Sequence, residues 1–500
     1  MSTAPAMPIC RRISLTATVL ACLAGTGIAS ADTTQENLTK YWHARERMLT
    51  EFTVRGTGPG QGQPAVERNG IHGFIKWADS TIRLGWYLGI LATEYHLLTE
   101  PATFPGAHAG NVGRATQTVE ELYEALTALE RLDLVADASF PPPCSSAPAL
   151  NGFFLRDDVP DGFHQYFPPM TSTQSDFIDP VLTNKEMSQD QVYHVLLGLA
   201  LVKRFIPDTL THQSKGLRQW AVVQATRIGE HISRTEWVIR NPACEDRAVN
   251  RGPLASGYSG GTRLTLGFIT DGAFVPDTVE PLLNAWELAK DPNFLPYIDE
   301  DNLHMAMAIA ATGNGWGSET ADALGVLAQK EDWPLYPLLH RALFADEAEG
   351  FCRTGAALNA RARAMLDEVP QQADFASPKP AGPAVHGFSS SNRFIRGKDS
   401  AYAGEPNSEG MRYNGQDFML LHNLYAVATP ATWEGGNGPG IPDCAAGGGP
   451  GNGAGPADAA HDSSCSCRLG AVPTPGGGAA WLAVLGAAFA LHRRTRRQQR

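Results

Sequence analysis

Apolar side chains return at three- and four-residue steps along most of the central part of this chain, the spacing that lays them on one side of an α-helix. The pattern predicts helices in "STIRLGWYLGILATEYHLL" from Ser80, "TVEELYEALTALERLDLVAD" from Thr118, "DQVYHVLLGLALVKRF" from Asp190 and "GLRQWAVVQATRIGEHI" from Gly216. It continues in "DNLHMAMAIAATG" from Asp301, "DWPLYPLLHRALFA" from Asp332, "GAALNARARAMLDEV" from Gly355 and "DFMLLHNLYAVA" from Asp417. Strand-like alternation is scarce, so the expected fold class is all-α.

Asp79, Asp190, Asp301, Asp332 and Asp417 each stand at the start of such a helix. The segments that follow are apolar or aromatic all round, the mark of helices buried inside a large protein. They alternate with amphipathic partners, those from Thr118 and Gly216. Inner helices alternating with outer ones form an α/α toroid, in which the inner N-termini meet at one face. The spacing of the units is irregular, and an irregular helical bundle is the alternative. Long loops such as "VRGTGPGQGQPAVERNG" and "NGFFLRDDVPDGFHQYFPPM" lie between the helices, where function usually resides.

The two ends differ from this body. Arg11 and Arg12 precede an apolar run from Ile13 to Ile28, and Ala29-Ser30-Ala31 supplies small residues for cleavage, the order of a secretory signal peptide. "VLAC" ending at Cys22 is a weaker lipoprotein-like alternative, and cleavage before Asp32 is expected. Residues 433–464 collapse into Gly, Pro and Ala, a flexible stalk. No charged residue occurs from Leu469 to Leu491, and Arg493, Arg494, Arg496, Arg497 and Arg500 follow. An apolar segment with a positive cluster behind it suits a transmembrane helix whose basic end stays in the cytoplasm.

The order Cys465-Ser466-Cys467, apolar helix, basic terminus resembles the myxobacterial C-terminal sorting signal called MYXO-CTERM. That resemblance implies delivery to the cell envelope and outer surface, with Cys465 and Cys467 as the sorting motif, a membrane contact through the tail, and a sorting protease whose cut would release the protein. It implies nothing about activity. The expected organisation is a signal peptide at 1–31, a helical domain at 32–432, the stalk at 433–464 and the sorting tail at 465–500.

The formal net charge is −12. Arg11, Arg12 and the six arginines of the tail lie outside residues 32–467, which therefore carry 52 acidic against 32 basic residues, or −20. Such a body is repelled by phosphate backbones, which argues against nucleic acid as a partner. Polyanionic glycans are disfavoured for the same reason, unless a local basic patch overrides it. Cys144, Cys244, Cys352 and Cys444 are widely separated and lack zinc-site spacing, so disulfides are expected in an exported chain. Cys144 with Cys244 is the first candidate pair.

Candidate chemistry centres on the helix-leading aspartates. Any one of them alone reads as an N-cap. Gathered at one toroid face, Asp79, Asp190 and Asp417 would instead be carboxylates with separated pKa values, the requirement of glycosidic cleavage. Trp77 and Tyr413, beside Asp79 and Asp417, are candidate sugar-binding aromatics, while Trp86, Tyr87 and Tyr336 read as core. Ser188 and Gln191 match a capping box, which leaves Tyr193 and His194 as a candidate acid/base pair beside Asp190. "LRDDVPDGF" places Arg156, a candidate substrate-binding residue, in an acidic loop whose carboxylates read as Asx turns before a calcium site.

His304, His340 and His422 read as core histidines. "GTGPGQG" lacks the Lys-Ser/Thr of a P-loop, and no HExxH occurs. The body is similar in outline to α/α-toroid carbohydrate-active enzymes, which implies a glycoside hydrolase needing no cofactor and acting on an extracellular glycan. The alternative is a non-catalytic surface protein that binds a glycan or a protein partner.

Overall fold

The computed structural model describes residues 34–103, 112–140, 149–237, 239–241, 255–274, 334–343, 355–375 and 410–429. The signal peptide, the stalk, the sorting tail with Cys465 and Cys467, the pair Cys144 and Cys244, and the segment from Asp301 lie outside the described residues. Helices account for 58% of what is described. They are α1 (Thr34–Glu51), α2 (Ser80–Thr99), α3 (Val112–Ser139), α4 (Leu182–Lys185), α5 (Gln189–Phe205), α6 (Leu217–Arg234), α7 (Ala255–Ile269), α8 (Leu335–Leu343), α9 (Gly355–Glu368) and α10 (Gln416–Ala428). Among the described residues no helix is long and apolar enough to cross a membrane.

The expectation of a purely helical fold is corrected by a small sheet. Strands β1 (Glu67–Asn69), β2 (Phe74–Lys76), β3 (Ser172–Gln174) and β6 (Met411–Tyr413) pair in the order β3-β2-β1-β6. β2 runs parallel to β3 and antiparallel to β1, which is antiparallel to β6. A two-stranded ribbon, β4 (Thr211–His212) with β5 (Lys215–Gly216), links α5 to α6. Each strand is only two or three residues long, too short for alternation to be seen in the sequence.

α2 is the centre of the packing. Its residues from Ser80 to Glu94 are buried without a break, as a helix apolar on all sides requires. α5 runs beside it in the same direction: Asp79 meets Gln191, Gly85 meets His194 and Val195, and Gly89 meets Leu201. α10 also runs parallel to α2, with Gln416 Nε2 donating to the Arg83 carbonyl at 3.0 Å and Asn423 Nδ2 donating to Thr93 Oγ1 at 3.2 Å. The N-termini of α2, α5 and α10 therefore share one end. α1 and α3 run the opposite way along this group: Tyr41 and Met48 of α1 meet Asn423 and Gln416 of α10, and Thr118 and Glu121 of α3 meet Glu94 and Tyr87 of α2.

α1 and α3 are tied to α2 by a buried polar network. Glu94 accepts from Tyr41, from Arg45 Nε at 2.7 Å and from Thr118 at 2.6 Å. Glu121 accepts from Tyr87 and from Arg45 Nη2 at 3.0 Å. Burial raises both tyrosine pKa values, so the phenols stay protonated donors. A buried carboxylate with this many donors stays ionised, and the Arg45 guanidinium lowers the Glu94 pKa against the opposing effect of burial.

α2 and α5 approach so closely that glycine is required on both. A Cβ on Gly85 would lie 2.1 Å from the His194 carbonyl oxygen, and one on Gly198 would lie 2.2 Å from the Gly85 oxygen. Both obstacles are backbone and cannot rotate away. Gly198→Ala or Gly85→Ala should therefore lower stability by about 3 kcal/mol, whereas Gly216→Ala, whose Cβ would meet nothing closer than 3.8 Å, should leave the melting temperature nearly unchanged. Thermal melts of the three variants check this.

Candidate functional site

The parallel pairing of β2 with β3 brings two aspartates together. Phe74, Ile75 and Lys76 lie opposite Ser172, Thr173 and Gln174, and Trp77 N–H extends the ladder to the Gln174 carbonyl at 2.7 Å. Both strands then run into an acidic residue, Asp79 after β2 and Asp176 after β3. Arg156, on the loop between α3 and the 3₁₀ turn Phe163–Tyr166, sits between them. Its Nη1 lies 2.9 Å from Asp79 Oδ1 and 3.5 Å from Asp176 Oδ2. The attraction of Asp79, Asp190 and Asp176 raises the arginine pKa against burial, which places the third carboxylate in the same field.

Asp79 occupies the N-cap position of α2, yet its side chain makes no capping bond. Its backbone is left-handed (φ 65°), a region Asp tolerates better than most residues. Its Oδ1 receives Arg156 and also Gln191 Nε2 at 2.9 Å. The amide N–H of Thr81, in the first turn of α2, is bonded by the Arg156 carbonyl at 3.2 Å. The guanidinium is fixed in turn by Nε donation to the Glu186 carbonyl at 2.9 Å. Asp79 is thus turned away from capping and toward the cluster.

Asp176 was not among the candidates from the sequence. Burial raises its pKa to about 6 in spite of Arg156. It is positioned by Asp157, whose Oδ2 accepts the Asp176 N–H at 2.8 Å and whose Oδ1 accepts the Val159 N–H at 3.0 Å and the Ser175 hydroxyl. The Asp157–Val159 bond is the Asx turn expected in "LRDDVPDGF". Burial pushes the Asp157 carboxyl up to about 7. Neighbouring Asp158 serves a separate purpose, accepting from Arg131, Gln63 Nε2 and the Gly60 N–H, which holds the Gly-rich loop.

The other sequence candidates divide. Asp190 stands one residue inside α5, where its Oδ1 accepts from the Gln191 N–H at 3.0 Å and from Ser188, the N-cap. Gln191 closes the capping box by accepting the Ser188 N–H at 3.0 Å, and its amide nitrogen reaches Asp79, so the box is also a bridge. His194 is buried against Trp86, ring centroids 6.2 Å apart, and its Nδ1 bonds the Asp190 carbonyl at 2.6 Å. Tyr193 is also buried.

Asp417 lies in the first turn of α10 beside a second guanidinium. Arg83 is buried, and burial lowers its pKa to about 10 against the attraction of Asp417, Glu67, Tyr413 and Asp79. Asp79 therefore stands between two arginine-centred clusters, one reaching Asp176 and Asp190 and the other reaching Asp417. Tyr413 is mostly buried on β6 opposite Glu67. Trp77 requires correction as a sugar-stacking residue: it is 0% exposed and packs on Phe163 and Phe167 at 5.4 and 5.7 Å. An aromatic side chain that does reach solvent is Tyr166, 52% exposed and tilted against Phe163 with ring centroids 4.9 Å apart. Ile178, Val181 and Leu182, on the segment leaving Asp176, are exposed too.

Among the described residues no group of three or more His, Cys, Asp and Glu side chains is arranged to hold a metal ion. Comparison with protein-family models, with curated proteins and with solved structures gives no match.

Arg156→Gln would leave the three carboxylates facing one another. Asp176 already holds its proton to about pH 6 when folded against 3.8 ordinarily, so it costs stability as pH rises through that window. Without Arg156 the folded pKa rises further and the window extends upward. The variant should lose about 2 kcal/mol at pH 7.5 and clearly less at pH 5, as melts at the two pH values would show.

Proposed function

We propose that the chain is an exported, surface-anchored glycoside hydrolase built on an α/α toroid, with Asp79 and Asp176 as its working carboxylates. The observation that carries this reading is the pair sharing one guanidinium nitrogen while the Asp176 carboxyl is pushed up to about 6. The toroid is supported by the parallel run of α2, α5 and α10, flanked by the reversed α1 and α3. Delivery to the outer surface, with the stalk as spacer and Cys465–Cys467 as the processing point, is supported by the resemblance of the tail to MYXO-CTERM. No cofactor enters the scheme.

In the proposed reaction Asp79 attacks the anomeric carbon while Asp176 passes its proton to the leaving glycosidic oxygen. The glycosyl ester on Asp79 is then opened by a water whose proton returns to Asp176. Both carboxylates face the same guanidinium nitrogen, which keeps them close enough to act on one glycosidic bond. Tyr166 offers a ring for the sugar's C–H face, and Asp190 and Asp417 support the field around the pair.

A second reading, a non-catalytic surface protein that binds a glycan or a protein, is favoured by one observation. Asp79 Oδ1 already accepts from both Arg156 and Gln191, as a purely structural carboxylate would. Release of reducing ends from a glycan panel by the full chain, beside Asp176→Asn and Asp79→Asn, separates the two. Loss of turnover by about 100-fold or more in variants that keep their melting temperature supports hydrolysis, and Asp176→Asn should also abolish the limb of the pH profile near 6. No turnover on any glycan, with both variants merely less stable, would leave the binding role.

A further inference from the structure

Three arginines converge on one carboxylate at the opposite face of the small sheet. On β1 and β6 the side chains alternate, so Glu67 and Tyr413 point one way while Arg68 and Arg412, directly opposed across the two strands, point the other. Like charges in that position repel. Arg47, four residues before the end of α1, joins them. Glu51 Oε2 lies 3.6 Å from Arg47 Nε, 3.5 Å from Arg68 Nη1 and 3.3 Å from Arg412 Nη1. A second acid, Asp374, lies with its Oδ2 3.7 Å from Arg412 Nε. Two carboxylates against three guanidiniums leave a surplus positive charge, within a body whose overall charge is −20.

Arg47 shows what is unfilled. It lies over the rings of Phe52 and Phe375, whose centroids are 5.0 and 5.7 Å from its central carbon. Its side chain is 4% exposed, and Nη1 and Nη2 are buried with no hydrogen-bond partner among the described residues. A guanidinium held over aromatic rings and unused at its edges is set up to receive a planar or tetrahedral oxyanion two bonds at a time. Burial and the neighbouring arginines lower its pKa to about 10, so it remains charged at neutral pH. Arg412 and Glu51, each about a third exposed or somewhat less, form the solvent side of the cluster.

We propose that Arg47, Arg68 and Arg412 form an oxyanion-binding site, in which Glu51 is a built-in occupant that an incoming carboxylate, sulfate or phosphate group displaces. The site lies on the sheet face away from Asp79 and does not depend on any hydrolytic activity. Such a patch would let an acidic body hold an acidic ligand that its net charge otherwise repels.

Isothermal titration of the full chain with sodium sulfate, sodium phosphate and sodium glucuronate, each against chloride at equal ionic strength, tests the proposal. Saturable binding of at least one probe is expected. Arg412→Gln should weaken it about tenfold, and Glu51→Gln, which removes the competing carboxylate, should tighten it. Arg412→Lys, which keeps the charge but not the fork, should fall between wild type and Arg412→Gln and guards against a folding defect. Binding by the inorganic anions alone points to a free ion, and binding of glucuronate points to the acid group of a sugar; either supports the site. No saturable binding by any probe, or binding that neither Arg412→Gln nor Glu51→Gln alters, would overturn it.

Discussion

The close contact between α2 and α5 at Gly85 and Gly198 sets the rest of the arrangement. Two helices whose backbones touch cannot slide or rotate against each other without a clash. Their shared direction then puts the Asp79 and Ser188 starts at one end, where Gln191 can reach across. The loop carrying Arg156 docks on that end by bonding the first turn of α2 and the carbonyl of Glu186. The parallel strands β2 and β3 deliver Asp176 to the same place. Every member of the cluster is thus located by backbone, and the side chains need only short reaches.

Charge is handled differently in the interior and at this end. Around Glu94 and Glu121, hydroxyls and Arg45 supply enough donors to hold both carboxylates within the helix layers. At the Arg156 cluster the donors run short: three acids share one arginine, and burial leaves Asp176 with a proton to hold until about pH 6. At the Glu51 cluster the imbalance reverses, with guanidiniums in excess. The chain thus carries one carboxylate-rich and one arginine-rich concentration on the two sides of a four-stranded sheet.

The helical periods from Ser80, Thr118, Asp190, Gly216, Gly355 and Asp417 were legible because the core they meet is apolar, and each corresponds to an observed helix. α1 was not, because it buries Asn37, Lys40, Arg45 and Arg47 alongside its apolar residues and so blurs its own periodicity. α7 was missed because "ASGYSGG" reads as a loop by composition. Asp79 stood out through its place before an apolar helix. Asp176 lies in "STQSD", where nothing local marks it; its role comes from a three-residue pairing with β2 that joins segments far apart in sequence. The matching endings of "IKWAD" and "STQSD" were the available signal, visible only once the strands are known to be neighbours. Trp77 misled because proximity to an aspartate in sequence says nothing about which way a ring faces.

The pairing of β1 with β6, and of α1 with α10, joins residues near positions 41–69 to residues near 411–423. A chain leaving the ribosome makes the first partner hundreds of residues before the second. Until β6 and α10 appear, the edge of β1, the Tyr41 ring and the unsatisfied amide partners of α2 have nothing to close against. Completion of these native contacts therefore waits for nearly the whole chain. Truncation just before Met411 should consequently unsettle the N-terminal helix, far from the cut in sequence.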